Sequence, residues 1–417
     1  MATPIKQQAA HDFQVETRTG VVTQSRQARV ASIDIFRGMT MLVMIFVNQL
    51  GEMNGLPWWT RHMPANINGM TYVDMVFPFF LFIVGMSLPL AIQHRLNKGD
   101  SEFGLWVHVT TRSVGLMVLG LILANRDNVS SQLTHMGANA WTFFALLGAI
   151  LFWISYPNSL RHKSLFRALK IAGLVLLLAM LAVFRRLTPD GHIAWIDTSY
   201  WEILGLIGWA YLSVCILYIP TRRWRWAQVA WFIALAALNV VSSAHWITFT
   251  YKTPSYIWPF KTGAGQSIVM AGLITSLLFL TDTYAVPRTR KTIGALSFAA
   301  ALFAAGWLLA PLGISKVRAT PTWCLVCSGA AICVFLVLYW VCDVKKHVRW
   351  AVAAKPAGSN TLLTYLLPFL CASVFGREVL IARWDYGWPG VIQAVAFTAG
   401  IIALSAILTR SKVRMQL

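Results

Sequence analysis

Residues 29–90 read RVASIDIFRGMTMLVMIFVNQL, GEMNGLPWWTRHMPANINGM and TYVDMVFPFFLFIVGMSLPL in succession. The first and third of these runs are nearly all apolar, and each has about the twenty residues that an α-helix needs to cross a bilayer. The middle run is polar and contains one histidine, His62. This stretch therefore predicts two transmembrane helices joined by a loop outside the membrane.

Charged residues interrupt both apolar runs. Asp34 and Arg37 lie in the first run and Asp74 at the start of the second, where a charge is costly unless it is paired or solvated. Helical periodicity places Asp34, Arg37 and Asn48 on one stripe, about 21 Å long. That stripe offers polar groups near both membrane surfaces. Alternatively, Asp34 and Arg37 only neutralise each other at the interface, and Asn48 bonds a neighbouring helix.

The composition of the whole chain is that of a membrane protein. Of its 417 residues, 57% are hydrophobic and only 12% are charged, and the mean hydropathy is +0.60. A net charge of +20 could indicate a nucleic-acid partner. However, the basic residues do not form one patch and instead lie in the short links between apolar runs. We therefore expect a polytopic protein in the lipid bilayer, with no nucleic acid bound.

Apolar runs of about twenty residues predict an all-α fold of about twelve transmembrane helices. They cover residues 30–50, 70–92, 104–125, 138–156, 165–185, 200–219, 225–246, 264–283, 293–313, 321–342, 360–379 and 389–409. Most Lys and Arg residues fall in alternate links, which predicts that both termini are cytoplasmic and that the loop 51–69 faces the outer side. The polar residues 1–28 predict a disordered cytoplasmic tail, and residues 29–417 a single transmembrane domain in the cytoplasmic (inner) membrane.

Two residues beside the first outer loop are candidates for chemistry. His62 carries an imidazole, which is well suited to taking a proton near neutral pH, although a lone loop histidine is often only solvated. Asp74 ends the pattern Thr71-Tyr-Val-Asp74, which is typical of a capping box at a helix N-terminus. The sequence thus leaves a catalytic and a purely structural interpretation for each residue.

Other polar residues could bind an anionic ligand. Arg112 lies deeper in the third apolar run than an arginine can easily reach water, and with Arg37 it could clamp phosphates. Both could equally be ordinary interfacial arginines. The outer segment SKVRATPTW brings together Lys316, Arg318 and Trp323, and Asn360 opens the eleventh run, where it could be only an N-cap.

The six cysteines indicate packing rather than a metal site. All of them fall in or beside apolar runs. Cys324 and Cys327 form a C-x-x-C pair, but no second pair or histidine cluster completes a ligand set. We therefore expect no bound metal.

Several segments together resemble one known family. They are IDIFRG, IFVN, the loop histidine followed by NGMTYVDMVFPFFLFIVG, RSVGLMVLGLILAN, GQSIVMAG, ISKVRATPTW, LVLYWVCDV and GSNTLLTYLLP. Their types and order are similar to the heparan-α-glucosaminide N-acetyltransferase family, and the resemblance covers residues 29–380. That family moves an acetyl group from cytosolic acetyl-CoA across the membrane onto a glucosamine amine. The resemblance also implies that residues 138–185 are an additional helical hairpin.

The resemblance implies an acetyl-CoA-dependent N- or O-acetyltransferase whose acceptor is an amino sugar or a glycan hydroxyl on the outer side. It makes His62 the catalytic residue and Asn48 its partner. With the candidates above, the predicted sites are catalytic His62, Asn48 and Asp74; acetyl-CoA-binding Asp34, Arg37, Arg112, Trp323 and Asn360; and acceptor-binding Lys316 and Arg318. Direct transfer and a route through acetylated His62 are both compatible with the sequence, as are a monomer and a homodimer.

A secondary transporter for a small anionic or sugar substrate is the alternative function. Twelve helices are common in such proteins, and intramembrane charges often mark their substrate paths. Against this interpretation, the sequence has no long central cytoplasmic loop and no convincing similarity between its halves.

Overall fold

The computed structural model describes residues 30–156, 162–247, 262–279, 286–376 and 385–415. The tail predicted for residues 1–28 lies outside these ranges. The described residues form a helical bundle. Its main helices are α1 (Ala31–Leu50), α2 (Val73–Asn97), α3 (Glu102–Asn125), α4 (Ala138–Trp153), α5 (Lys163–Val183), α6 (Glu202–Thr221), α7 (Arg225–Ser243), α8 (Ala264–Phe279), α9 (Arg288–Leu308), α10 (Pro321–Leu338), α11 (Thr361–Phe375) and α12 (Gly387–Arg410).

Each predicted apolar run coincides with one of these helices to within a few residues. Within the described ranges, nine helices are long and apolar enough to cross a membrane, and α4, α8 and α11 are shorter apolar helices. The all-α polytopic fold is therefore confirmed. The number of crossings and the cytoplasmic position of the termini stay predictions.

Helix α8 lies at the centre of the bundle, packed against α2, α6, α7 and α10. Nearly all of its residues are buried. Its contact with α2 is made backbone to backbone, because a side chain at Gly272 would collide with Phe82 and one at Gly85 would collide with Val269. Small residues allow such close approach between membrane helices. The contact fixes α2, which begins beside the loop that carries His62.

The start of α1 is held by a carboxylate from a distant part of the chain. Asp343 accepts hydrogen bonds from the backbone N–H groups of Ala31 (2.9 Å) and Ser32 (3.0 Å). It lies in a π-helical turn, Tyr339–Val344, which continues α10. A carboxylate at a helix N-terminus satisfies otherwise unpaired donors and complements the helix dipole. Asp343 thereby fixes the position of α1.

A short β-hairpin, which the chain pattern did not predict, interrupts the helical structure of the described residues. Strands β1 (Arg186–Leu187) and β2 (Ile193–Ala194) pair antiparallel. The turn between them contains Pro189, Asp190 and Gly191, and Gly191 has φ +80°; these residues favour a tight turn. Strands of two residues each are too short to give a recognisable pattern in the link between two long apolar runs.

Helices α4 and α5 form the hairpin expected at residues 138–185. They pack along each other, and the Trp141 indole donates a hydrogen bond of 2.8 Å to the carbonyl of Met180. The interpretation of this hairpin as an addition to the family pattern stays a prediction.

The orientation in the membrane can be tested with two exposed residues at opposite ends of the bundle. Asn66 lies in the loop after α1 and Lys345 after α10, and both are exposed. In a cysteine-free background, Asn66→Cys in intact spheroplasts is expected to react with an impermeant maleimide, whereas Lys345→Cys is expected to react only after lysis. The reverse pattern would contradict the predicted topology.

Candidate functional site

Asp74 holds His62 in one orientation. The carboxylate is completely buried, and its Oδ1 lies 2.7 Å from Nδ1 of His62. Its Oδ2 accepts the backbone N–H groups of Thr71 (3.0 Å) and Met63 (3.2 Å). One oxygen thus stabilises the loop in the manner of a cap, while the other orients the imidazole. Because a carboxylate only accepts hydrogen bonds, Nδ1 carries the proton, and Nε2 of a neutral ring keeps its electron pair.

Trp323 supports this pair through the backbone of Asp74. It lies in the first turn of α10, is buried, and donates a hydrogen bond of 3.1 Å from its indole to the carbonyl of Asp74. The sequence suggested that Trp323 contacts acetyl-CoA. The structure places it behind Asp74, at the same end of the bundle as His62.

Lys316 lies against the ring of His62. Its Nζ is 3.2 Å from Nδ1 and 3.1 Å from Nε2. Burial lowers the pKa of Lys316 to about 8, although the nearby carboxylates of Asp74 and Glu202 act to raise it. Arg318 lies on the same loop and is exposed. Of the two predicted acceptor-binding residues, Lys316 contacts His62, and the exposed Arg318 does not.

A cavity of about 460 Å³ opens beside His62. We call it the His62 cavity. Asn48, at the end of α1, contributes to its lining together with Arg126 and Glu202. The structure therefore brings Asn48 and His62 to the same space, as the motif resemblance implied, and adds charged groups that could contact a polar ligand.

A second cavity, of about 480 Å³, lies towards the other end of α1. We call it the Arg37 cavity. Three arginines, Arg37, Arg95 and Arg112, line it, together with His108. Three guanidinium groups around one cavity favour an anionic ligand.

Contacts within the protein hold the two predicted phosphate-binding arginines in place. Arg37 donates a 2.6 Å hydrogen bond to Ser87 and pairs with Asp34 at 3.3 Å. The guanidinium of Arg112 lies over the ring of Tyr211, 5.1 Å from its centroid. Asp34 is not among the lining residues, so it acts on the Arg37 cavity through Arg37.

The two cavities share part of their walls. Ile203 and Tyr365 line both. The Tyr365 hydroxyl donates a 2.7 Å hydrogen bond to Glu202, and Glu202 also accepts the N–H of Leu204 at 3.1 Å. Glu202 has φ +53°, an uncommon conformation for a residue other than glycine. A thin partition around these residues therefore separates the cavities.

Asn360 connects α11 to the C-terminal segment. Its amide nitrogen donates to the hydroxyl of Thr409 (3.2 Å) and the carbonyl of Val413 (2.9 Å), and its oxygen accepts the N–H of Met415 (3.2 Å). It occupies the N-cap position of α11 without a side-chain cap. Because Met415 lines the Arg37 cavity, Asn360 shapes that cavity from behind, and direct acetyl-CoA binding by Asn360 stays a prediction.

A family model described as a domain of unknown function, DUF5009, matches residues 29–269, more than half of the chain. The chain belongs to the DUF5009 family. The matched part of the DUF5009 protein contains His62, Asn48 and Asp74, together with Glu202 of the partition.

Two curated relatives of the DUF5009 protein carry the name heparan-alpha-glucosaminide N-acetyltransferase. The human protein is 40% identical over 97 residues, which are 23% of this chain and 14% of the human chain. The mouse protein is 37% identical over 164 residues, which are 37% of this chain and 23% of the mouse chain. The DUF5009 protein thus spans less than a quarter of the length of either relative. These matches confirm the resemblance seen in the motifs.

Sequence reasoning missed several residues that line the cavities of the DUF5009 protein, among them Arg95, His108, Glu202 and Tyr365. Arg95 lies in the last turn of α2 and His108 near the start of α3, and neither was assigned a role. Tyr365 lay within the motif GSNTLLTYLLP and Glu202 near the start of the predicted run 200–219, but neither had an assigned role. A carboxylate opening an apolar helix, in YWEILGLIG, was the available signal for Glu202.

Proposed function

We propose that this protein is a transmembrane acetyltransferase, which transfers an acetyl group from cytosolic acetyl-CoA to an amine or hydroxyl of a sugar on the outer side. One observation carries the proposal: a cavity with an oriented histidine and a cavity with a basic lining lie at opposite ends of α1 and meet at a thin partition. The named relatives support acetyl transfer as the chemistry. The His62 end faces outward and the Arg37 end faces the cytoplasm of a cell whose inner membrane holds the protein.

The Arg37 cavity suits the donor. Coenzyme A carries several phosphate charges at one end and an uncharged thioester at the other. Arg37, Arg95 and Arg112 bind the phosphates, since guanidinium groups form strong charge-assisted hydrogen bonds with phosphate oxygens. Apolar residues such as Met41 and Met44 line the deeper part of this cavity, where the uncharged arm extends towards the partition.

The His62 cavity suits the acceptor. Nε2 of His62 takes the proton from the acceptor amine or hydroxyl as that atom attacks the thioester carbonyl. Asp74 stabilises the positive charge that forms on the ring, and Asn48 donates a hydrogen bond to the developing oxyanion. The C–S bond then breaks, and the proton on His62 passes to the leaving sulfur. Acetyl-His62 as an intermediate remains the second possible route.

The direct test is acetyl transfer by purified protein. Acetyl-CoA and glucosamine are supplied together, the released CoA thiol is measured with a chromogenic disulfide, and the acetylated sugar is identified by mass spectrometry. Release should require the acceptor. No release with amino sugars or with hydroxyl-bearing glycans would contradict the proposal. The shared walls of the two cavities also fit a transporter, and uptake of unmodified sugar or anion into proteoliposomes would favour that alternative.

The basic cavity gives a separate prediction. Arg37→Ala and Arg112→Ala should each weaken acetyl-CoA binding by roughly 10- to 100-fold, since a hydrogen bond to a charged group contributes about 1.5–3 kcal/mol. Calorimetry on protein in detergent measures the affinity. Arg290→Ala is the matched control, because Arg290 is exposed and lines neither cavity. Wild-type affinity in both folded cavity variants would indicate that these arginines are ordinary interfacial residues and do not bind acetyl-CoA.

A further inference from the structure

The loop between α9 and α10 is attached to the loop that carries His62. The N–H of Ile314 donates to the side-chain oxygen of Asn68 (2.6 Å), and the N–H of Gly69 donates to the carbonyl of Ile314 (2.9 Å). Within the α9–α10 loop, the N–H of Ser315 donates to the hydroxyl of Thr320 (3.0 Å). These bonds fix the backbone on both sides of Lys316 relative to His62.

The contact between Lys316 and His62 is not an ordinary hydrogen bond to one nitrogen. Nζ is almost equally distant from Nδ1 and Nε2, whose in-plane directions diverge, and Nδ1 already faces Asp74. The ammonium therefore lies against the face of the ring, where a cation is attracted to a neutral aromatic system. Lys316 is also absent from the residues that line the His62 cavity. It acts on the ring from outside the space available to an acceptor.

Opposite charges surround the imidazole. The charged groups nearest to it are Asp74 on α2 and Lys316 on the loop before α10; across the cavity lie Glu52, Arg126, Asp127 and Glu202. A carboxylate in contact with the ring favours the imidazolium, whereas an ammonium in contact with it disfavours the second positive charge. Asp74 and Lys316 thus act in opposite directions on His62.

We propose that Lys316 is a positioning residue that keeps His62 unprotonated, and therefore able to accept a proton, in the presence of the buried Asp74 carboxylate. This inference rests on the proposed function. Asp74 alone would favour a protonated ring, which cannot act as a base. Lys316 offsets that effect without touching the acceptor.

The pKa of Lys316 is compatible with this role. Its value of about 8, lowered from 10.5 by burial, leaves the side chain charged at every pH below about 8. The ammonium is therefore present over the interval in which it must oppose protonation of the ring.

The test compares Lys316→Met, which removes the charge at similar length, with Lys316→Arg, which retains it. The pH dependence of kcat/KM is measured from pH 5 to 9 for both. Lys316→Met is expected to move the acid limb to higher pH by about one to two units, because a contacting charge shifts a titration by that order. Lys316→Arg should keep the acid limb near the wild-type position. An unmoved acid limb in Lys316→Met, with a raised acceptor KM, would overturn the proposal and support acceptor binding by Lys316.

A second readout needs no turnover. Diethyl pyrocarbonate modifies a histidine only when its imidazole is unprotonated, so the rate at His62, followed by peptide mass spectrometry across pH, reports the protonation of the ring. The modification profile of Lys316→Met should shift upward in the same way, and His192, exposed in the β1–β2 hairpin, serves as the internal control. An unshifted His62 profile overturns the role of Lys316. A shifted profile in a protein that transfers no acetyl group supports that role and contradicts only the acetyltransferase proposal.

Discussion

His62→Ala is expected to reduce acetyl transfer by about 10²- to 10⁴-fold, the usual contribution of a general base. The acetyl-CoA affinity of this variant should stay at the wild-type value. His62 lines the cavity opposite the basic one, and none of the three arginines around the donor changes. Measuring CoA release and acetyl-CoA binding on the same preparation separates a lost chemical step from a lost site.

Two variants calibrate this result. His192→Ala removes an exposed imidazole from another loop and should leave the rate unchanged. Asn48→Ala should cost about 10²- to 10³-fold, the effect of losing one oxyanion donor. Near-normal turnover by His62→Ala would show that His62 is not the general base. The fold and the family assignment would be unaffected.

Asp74→Asn is expected to lower the transfer rate by about 10²- to 10⁴-fold, by analogy with the effect of amidating the carboxylate in a Ser-His-Asp triad. An amide can donate as well as accept, so it no longer fixes the proton on Nδ1 of His62. It also loses the negative charge that stabilises the imidazolium. Steady-state rates at saturating acetyl-CoA give the magnitude.

A double-mutant cycle decides whether Asp74 acts through His62. If it does, Asp74→Asn combined with His62→Ala should be scarcely slower than His62→Ala alone, because residues that act as a unit are non-additive. Since Asp74 also accepts the N–H groups of Thr71 and Met63, the thermal unfolding of each variant must be followed as well. Fully additive losses in well-folded variants would indicate that Asp74 acts by stabilising the loop and not by orienting the imidazole.

The helices were predictable because a bilayer span imposes its length on the sequence. Runs of about twenty apolar residues predicted the positions of α1 to α12 to within a few residues. The stripe on α1 likewise predicted that Arg37 and Asn48 would serve different ends of the bundle. Each now lines a different cavity. Such local periodicity contains no information about which helices are neighbours.

Contacts between distant segments could therefore not be predicted from the sequence. Lys316 lies 254 positions from His62, and Trp323 lies 249 from Asp74. Both residues were predicted to bind ligands. Their contact with the catalytic candidates arises only when α10 packs against α2, which sequence periodicity does not show. The role of Asp343 could not be predicted for the same reason. This carboxylate, in LYWVCDV, caps a helix that begins more than 300 residues earlier.

The partition at Ile203 and Tyr365 has an electrical consequence. Where water-filled cavities approach each other from the two sides of a membrane, most of the transmembrane voltage falls across the short segment between them, and a full charge that crosses it exchanges about 2.3 kcal/mol per 100 mV. In the proposed reaction the phosphates stay on one side of this segment. An acetyl group passes outward on sulfur, and a hydrogen atom returns on the same sulfur. Both are uncharged, so the cell's voltage neither drives nor opposes turnover, and the free-energy difference between the thioester and the acetylated product sets its direction.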